Sequence, residues 1–143
     1  HSGGVTVLAL NENNEILMVK QYRKAVEDVL FELPAGKLED NEDPAECAAR
    51  ELWEETGYRP AEITKLFSFY TSPGYSNEKL HLYFAENLEY DPGDGLDPGE
   101  FIESATLKPS QIINKILDGS IIDGKTITAL LYYLNSQGDI ENV

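Results

Sequence analysis

Apolar and polar residues recur with two different periods along this chain, and the period changes with position. Short or alternating apolar runs predict six strands, at 5–10, 16–21, 29–33, 63–71, 79–88 and 101–107. Apolar residues at helical spacing in 109–117 and 125–134 predict two helices that pack against the core and carry no chemistry. The order of these elements predicts an α/β domain with a mixed β-sheet and helices on both faces.

A further helix is predicted between Pro44 and Thr56 by the residues at its ends. Asp43 is a favourable N-cap, and Pro44 suits the first turn, where a backbone N–H is not needed. Gly57 is the residue type expected just after the C-terminus of a helix. The segment therefore predicts a helix of about three turns.

Glutamates lie along one side of this helix. At roughly 100° per residue, Glu51, Glu54 and Glu55 share one stripe. Arg50 is four residues from both Glu46 and Glu54, so it can bridge them. Such stripes are usually solvated faces held by salt bridges. Like charges at this spacing are mildly destabilising without a cation, so the stripe also predicts a site for a hard divalent ion.

Composition narrows the function classes. The 143 residues suit one domain, 1–143, and 26 Asp and Glu against 11 Lys and Arg give a net charge of −15. This charge argues against nucleic-acid or membrane binding through a basic patch, and no apolar run is long enough to span a bilayer. The single cysteine, Cys47, excludes an internal disulfide and favours a reducing, cytoplasmic location. Because the chain begins with His1, we expect it to be truncated or processed.

The spacing of the charged residues and glycines between Gly36 and Tyr58 resembles the Nudix box, G-x5-E-x7-R-E-U-x-E-E-x-G-U, where U is a bulky apolar residue. The matching residues are Gly36, Glu42, Arg50, Glu51, Leu52, Glu54, Glu55 and Gly57. Tyr58 fills the last apolar position, which is usually aliphatic in the family. The resemblance implies a Nudix-type α/β/α sandwich.

The same resemblance implies hydrolysis, dependent on Mg²⁺ with Mn²⁺ as an alternative, of a nucleoside diphosphate linked to another group. The metal ligands that it implies are Glu51, Glu54, Glu55 and the carbonyl of Ala35. Arg50 would orient the glutamates by ion pairing, and Glu42 would be a further ligand or would fix the loop. In this acidic protein, bound cations would reverse the local field and allow a pyrophosphate to approach.

Residues outside the box resemble the ADP-ribose pyrophosphatase branch of the family, which implies AMP and ribose 5-phosphate as products. Pro73 lies 15 positions after Tyr58, near the offset of a proline in that branch. Arg23 resembles its phosphate-binding arginine, and Glu32 is expected at the ribose or the metals. Tyr75 is expected to stack on a base or lie along a ribose, with an exposed turn tyrosine as the alternative.

The branch has an N-terminal strand layer that helps to build a homodimer. We expect this layer to be absent here, either because the chain is trimmed or because it is a minimal version of the branch. A homodimer stays open as an alternative, without the branch's usual contacts. The small-molecule nucleotide substrate is otherwise the only partner implied.

The branch also has a catalytic base on a loop before its last strand. Segment 91–100 is rich in glycine, proline and acidic residues, so Glu100 is the first candidate, followed by Glu103 and Asp97. A solvated acidic linker is the alternative for this loop. Two other functions stay open: a Nudix hydrolase for an ADP-sugar, a dinucleotide or an oxidised nucleotide, and a non-catalytic nucleotide-binding module.

Overall fold

The computed structural model describes residues 3–93 and 102–142, the last five of these as backbone only. Seven strands, three helices and one short 3-10 turn follow one another in the described residues. They are β1 Gly4–Ala9, β2 Ile16–Arg23, β3 Asp28–Glu32, β4 Ala35–Lys37, α1 Pro44–Thr56, β5 Tyr58–Tyr70, β6 Lys79–Tyr90, β7 Ile102–Leu107, the 3-10 turn Pro109–Gln111, α2 Ile112–Leu117 and α3 Gly124–Asn142.

The strands form two sheets. The first has the order β4-β1-β6-β5, in which β1 and β6 are parallel and the other pairs are antiparallel. The second, with the order β3-β2-β7, is antiparallel throughout. The predicted mixed α/β architecture is confirmed, but its strands divide between two sheets. Since β1 and β2 each have a hydrogen-bonded neighbour on both sides, they cannot pair with each other along their length.

Two apolar clusters place the helices on opposite sides of β1. Val5 and Val7 point toward α1, where they meet buried residues such as Leu52. Leu8 points the other way, into a cluster that contains Leu130 of α3. All six residues of β1 are buried, as expected for a strand covered on both faces. Burying one leucine side chain of this kind contributes about 1.5–3 kcal/mol.

The predicted ends of α1 are confirmed. The Asp43 carboxylate accepts hydrogen bonds from the backbone N–H groups of Ala45 at 3.1 Å and Glu46 at 3.2 Å. At the other end Gly57 has φ of 80°, and its N–H donates to the Trp53 carbonyl at 2.8 Å. A left-handed φ of this kind is easily reached only by glycine, so the chain leaves the helix and enters β5 at once.

Other boundaries differ from the sequence prediction. The three-residue strand β4 was not predicted, because a strand this short has too little pattern to be recognised. Strand β5 begins five residues earlier than predicted, at Tyr58 instead of residue 63, and includes Pro60. A proline is tolerated there because β5 lies at the edge of its sheet. Among the described helices, none has the length and apolarity needed to cross a membrane.

Candidate active site

The carboxylate of Glu51 lies against the backbone of Gly36. A Cβ atom added to Gly36 would overlap the Glu51 side chain, so only glycine leaves room for it. Helix α1 and the short strand β4 therefore fit together through one glutamate and one glycine. The fixed spacing of these two residues in the sequence is a packing requirement as well as a motif. The contact also brings Glu51 close to Ala35, which directly precedes Gly36.

Arg50 organises the carboxylates around it. Its Nε and Nη2 donate to the two oxygens of Glu42 at 2.8 and 3.0 Å. Its Nη1 donates to Glu51 Oε1 at 3.0 Å and to Glu54 Oε2 at 3.2 Å. The paired hydrogen bonds lower the pKa of Glu42 to about 2, and they raise the pKa of Arg50 further above its usual value.

The predicted bridge from Arg50 to Glu46 is wrong, whereas the one to Glu54 is confirmed. The loop before α1 folds back toward the helix, and the N–H of Glu39 donates to Glu42 at 3.0 Å. Glu42 therefore reaches Arg50 from outside the helix and takes the place expected for Glu46. This arrangement agrees with the loop-fixing alternative for Glu42.

The three predicted metal ligands Glu51, Glu54 and Glu55 are called the glutamate face below. Glu55 is only 7% exposed, and Glu51 is also largely buried. Burial raises the pKa of Glu51, while hydrogen bonding with Glu55 and the charge of Arg50 act against this rise. The charge of Glu54 raises the pKa again. The glutamate face therefore holds its negative charges at an electrostatic cost.

The chemistry of this donor set fits a hard divalent cation, because carboxylate and carbonyl oxygens are the ligands that such ions prefer. Within residues 3–93 and 102–142, however, no three Asp, Glu, His or Cys side chains converge in ligating geometry. Glu51 and Glu54 instead turn toward Arg50 Nη1. Binding a cation would therefore require these side chains to turn from the arginine toward the ion.

A cleft of about 660 Å³ opens beside Gly36. Ala35 and Gly36 form part of its wall, and Arg23 and Lys125 supply two cationic side chains. Phe69 adds an aromatic surface. The cleft falls in the size range of small-molecule sites. One concave surface therefore carries these two cationic side chains and also the Gly36 backbone that contacts Glu51.

Two of the cationic side chains of the cleft, Arg23 and Lys125, meet at a buried carboxylate. Arg23 Nε and Nη2 each donate to a different oxygen of Glu32, both at 2.8 Å. Lys125 Nζ donates to Glu32 Oε1 at 2.6 Å and to Asp123 Oδ2 at 3.0 Å. The side chain of Glu32 is 1% exposed, while that of Arg23 is 40% exposed. The hydrogen bonds that Arg23 donates to Glu32 raise the pKa of Arg23, and the more distant charges of Asp123 and Glu55 add to this rise.

Some predicted site residues lie away from the cleft wall. Pro73 and Tyr75 are exposed, and Tyr75 is 89% exposed on a turn in which its N–H donates to the Ser72 carbonyl at 3.1 Å. Ser72 lines the cleft, whereas Pro73 and Tyr75 do not. Glu103 is an exposed residue of β7, paired with Lys20 of β2. The candidate bases Glu100 and Asp97 lie outside the described residues.

Sequence reasoning missed Asp123 and Lys125. It predicted a core helix without chemistry at 125–134, yet the first turn of α3 reaches the cleft. Asp123 accepts a hydrogen bond from the N–H of Thr126 at 3.2 Å, so it acts as an N-cap. The N-cap pattern was readable in the sequence. The contact of Lys125 with a carboxylate 93 residues earlier had no local signal.

Comparison with known proteins agrees with this geometry. Residues 1–130 match the family model described as the NUDIX domain. The chain therefore belongs to the Nudix family, as its motif predicted. It is 44% identical over 133 residues to a methanol dehydrogenase activator of Bacillus methanolicus, covering 92% of this chain and 72% of the relative.

Two further relatives carry the names of pyrophosphatases. An ADP-ribose pyrophosphatase of Bacillus subtilis (strain 168) is 41% identical over 133 residues, with 92% of this chain and 72% of the relative covered. A GDP-mannose pyrophosphatase of Klebsiella pneumoniae is 38% identical over 145 residues, with 94% and 72% covered. These matches confirm the predicted enzyme class, a Nudix pyrophosphohydrolase.

The fold is also that of a solved structure, an ADP compounds hydrolase, with a TM-score of 0.83 over 95% of this chain and 74% of the other. At 21% sequence identity, this match bears on the fold alone. It confirms the predicted Nudix-type α/β architecture.

Proposed function

We propose that this chain hydrolyses the pyrophosphate bond of ADP-ribose to give AMP and ribose 5-phosphate, with Mg²⁺ as the metal and Mn²⁺ as a substitute. The observation that carries the proposal is the shared cleft. Its wall contains Gly36, against which the Glu51 carboxylate lies, together with the cations Arg23 and Lys125. A pyrophosphate needs both a metal-binding face and cationic side chains, since its negative charge would otherwise be repelled by a protein of net charge −15.

The glutamate face would hold the metal, with the Ala35 carbonyl as an additional oxygen. When bound, a divalent cation neutralises charge on the phosphate oxygens and lowers the pKa of water. Arg50 holds Glu51 and Glu54 in place until the ion binds. Its own bidentate pairing with Glu42 keeps the guanidinium fixed during that change. We propose Glu100 as the group that accepts a proton from the attacking water, with Glu103 and Asp97 as alternatives.

Arg23 and Lys125 would bind phosphate oxygens from the wall of the cleft. The two bonds to Glu32 use two of the five N–H donors of the Arg23 guanidinium, so others remain for a phosphate. Phe69 and Tyr70 offer aromatic surface for the nucleoside at the same cleft. We place Pro73 and Tyr75 at its rim, where Tyr75 would meet the base or a ribose from the exposed turn.

ADP-ribose is favoured among the substrates of the family by two independent facts. Pro73 lies at the offset seen in the ADP-ribose pyrophosphatase branch, and a relative with that name is 41% identical. GDP-mannose is the second candidate, because relatives named for its hydrolysis are 37–38% identical. Both would use the same metal and phosphate groups and would differ in the base and sugar.

A product assay on a substrate panel tests the proposal. ADP-ribose, GDP-mannose, ADP-glucose, NADH, a diadenosine polyphosphate and oxidised dGTP would each be incubated with the chain and Mg²⁺. We expect AMP from ADP-ribose at the highest kcat/KM. A higher kcat/KM for another substrate would retain the chemistry and overturn the choice of ADP-ribose. Binding of a nucleotide without any cleavage across the panel would support the non-catalytic alternative.

We further propose that the chain forms a homodimer and works in a reducing compartment such as the cytoplasm. The single cysteine supports the location, and burial raises the pKa of the Cys47 thiol to about 12, so it stays protonated and unreactive. Light scattering at micromolar concentration tests the oligomeric state. A mass of twice the 16.0 kDa chain supports the dimer, and a monomeric mass rejects it.

A further inference from the structure

Four charged side chains form a cluster that is balanced in charge. Three of them, Arg23, Asp123 and Lys125, line the cleft, and the fourth, Glu32, is buried beside them. Arg23 and Lys125 supply two positive charges, and Glu32 and Asp123 supply two negative ones. Their three ion pairs contain four N–O contacts of 2.6–3.0 Å, two of them between Arg23 and Glu32. We call this set the four-charge cluster. It is separate from the glutamate face, whose three carboxylates outnumber the neighbouring cation Arg50.

The carboxylate of Glu32 is the buried centre of the four-charge cluster. Both of its oxygens accept hydrogen bonds from cationic groups, and Oε1 accepts from Arg23 and Lys125 together. A buried carboxylate is costly unless it is paired and hydrogen-bonded in this way. With its oxygens engaged and its side chain 1% exposed, Glu32 is placed to hold the two cations rather than to touch a ligand.

Asp123 fixes the second cation through the helix that carries it. Its carboxylate accepts from Lys125 Nζ, from the N–H of Thr126 at 3.2 Å and from the Thr126 hydroxyl at 2.6 Å. The same Thr126 hydroxyl accepts a hydrogen bond from the N–H of Leu33 at 3.1 Å. The first turn of α3 is thereby bonded to the residue that follows Glu32. Lys125 and Arg23 are therefore both tied to segment 32–33, through the Glu32 carboxylate and, for the helix that carries Lys125, through the N–H of Leu33.

We propose that Glu32 and Asp123 are positioning residues, which hold Arg23 and Lys125 as a preformed pair of cations for the pyrophosphate. This inference rests on the proposed function, because it assigns the cluster to the phosphates of the same substrate. Holding the cations in advance avoids the loss of side-chain freedom that two long flexible residues would otherwise undergo on binding.

If only net charge mattered, removing the charge of Glu32 would strengthen the binding of a phosphate. Replacing Glu32 by glutamine would leave the cluster with an excess positive charge, which would attract a phosphate more strongly. If Glu32 instead positions the cations, Glu32→Gln would weaken binding although the positive charge increases. The sign of the change in affinity therefore distinguishes positioning from simple charge compensation.

The experiment measures KM and kcat for ADP-ribose in Glu32→Gln and Asp123→Asn, with Asp118→Asn as the matched control. Asp118 also accepts a backbone hydrogen bond near a helix end, from Ser120 at 2.8 Å, but it does not line the cleft. We expect KM to rise about tenfold in the first two variants, as for the loss of a charged hydrogen bond. We expect kcat to change less than about threefold, since the metal face is intact. The control should match the wild type.

A second variant guards against misfolding of Glu32→Gln. Arg23→Lys keeps the charge at the surface but cannot donate to both oxygens of Glu32 from a planar fork. A KM for Arg23→Lys equal to that of the wild type would overturn the proposal. So would a lower KM for a folded Glu32→Gln protein. Glu32→Asp restores the negative charge on a shorter side chain. A KM between those of Glu32→Gln and the wild type would support the proposal.

Binding of inorganic pyrophosphate by calorimetry separates this inference from the proposed function. If ADP-ribose is not cleaved by the wild type, the proposed substrate fails. Weaker binding of pyrophosphate by Glu32→Gln and Asp123→Asn than by the wild type and Asp118→Asn would still support the positioning role. Equal or tighter binding by Glu32→Gln would overturn that role, whatever the substrate.

Discussion

The glutamate face and the four-charge cluster are built in opposite ways. Around Arg50, one cation is surrounded by the carboxylates of Glu42, Glu51 and Glu54. Around Glu32, one carboxylate is surrounded by Arg23 and Lys125, with Asp123 completing the balance. The first region has surplus negative charge and can accept a further cation. The second is already neutral and keeps its side chains in place without a ligand.

Because of this difference, the two regions would have different roles in binding a pyrophosphate. The glutamate face would change on binding a metal, since Glu51 and Glu54 now turn toward Arg50. The four-charge cluster would remain as it is, because its ion pairs do not compete with the ligand.

The largest effect is expected at the glutamate face. Glu54→Gln keeps the shape of the side chain but removes a charge that a metal would need. We expect the rate of ADP-ribose hydrolysis to fall by on the order of a hundredfold or more, since loss of an outer partner of a metal ligand alone costs roughly 10–100-fold. Circular dichroism should show an unchanged fold. The control is Glu46→Gln, an exposed position on the same helix. Full activity in Glu54→Gln would reject the metal assignment.

A second effect tests the packing of α1 on β4. In Gly36→Ala, the added Cβ would overlap the Glu51 side chain and force it to move. We expect the free energy of unfolding to fall by about 1–3 kcal/mol, as for other overpacked sites, and activity to fall with it. Gly74→Ala is the matched control, because a Cβ there has no neighbour within 4 Å. Equal melting temperatures for the two variants would contradict the close fit.

A smaller effect is expected where Glu42 fixes Arg50. Glu42→Gln loses one charge-assisted pair, so we expect a loss of about 1–2 kcal/mol in the free energy of unfolding at neutral pH. Because the pKa of Glu42 is lowered to about 2, its contribution to stability is full above the unfolded pKa near 4.5. This contribution is lost as the pH falls toward 2. Glu39→Gln is the control, since Glu39 lies 3.8 Å from Arg50 and is 70% exposed. Chemical denaturation at pH 7 and pH 3 measures both effects.

The smallest effect concerns the pH dependence of the metal-free protein. The pKa of Glu51 is raised in the folded state, so the folded protein binds this proton more tightly than the unfolded one. Its contribution to stability is full below the unfolded pKa and is lost as the pH rises through the raised value. With a chelator present, Glu51→Gln should therefore lose less stability than the wild type as the pH rises above the unfolded pKa near 4.5. Parallel melting curves for the two proteins over this range would contradict the raised pKa.

The sequence predicted the glutamate face more fully than the four-charge cluster. The ends of α1 and the stripe of Glu51, Glu54 and Glu55 follow from local rules, since helix caps and helical periodicity depend on neighbours in the chain. Gly36 was readable from its spacing, although its reason, the contact with Glu51, needed the structure. Local rules also produced an error, because they paired Arg50 with Glu46 on the helix instead of Glu42 across the loop.

The four-charge cluster depends on contacts that no local rule contains. Arg23 and Glu32 come together because β2 and β3 are antiparallel neighbours. Lys125 joins them from the other end of the chain. A lysine in the first turn of a helix is ordinary in a sequence, and only the packing of α3 against the strands gives it a role. The division into two sheets could not be predicted for the same reason, since the apolar pattern of a strand does not specify which strand it pairs with.

The most direct test of the account is a titration of AMP formation from ADP-ribose with Mg²⁺, starting from protein treated with a chelator. We predict no AMP without a divalent cation, a rate that saturates as Mg²⁺ is added, and loss of that response in Glu54→Gln. AMP formation that continues undiminished in the chelator would contradict it. The glutamate face would then not be the site of a required metal.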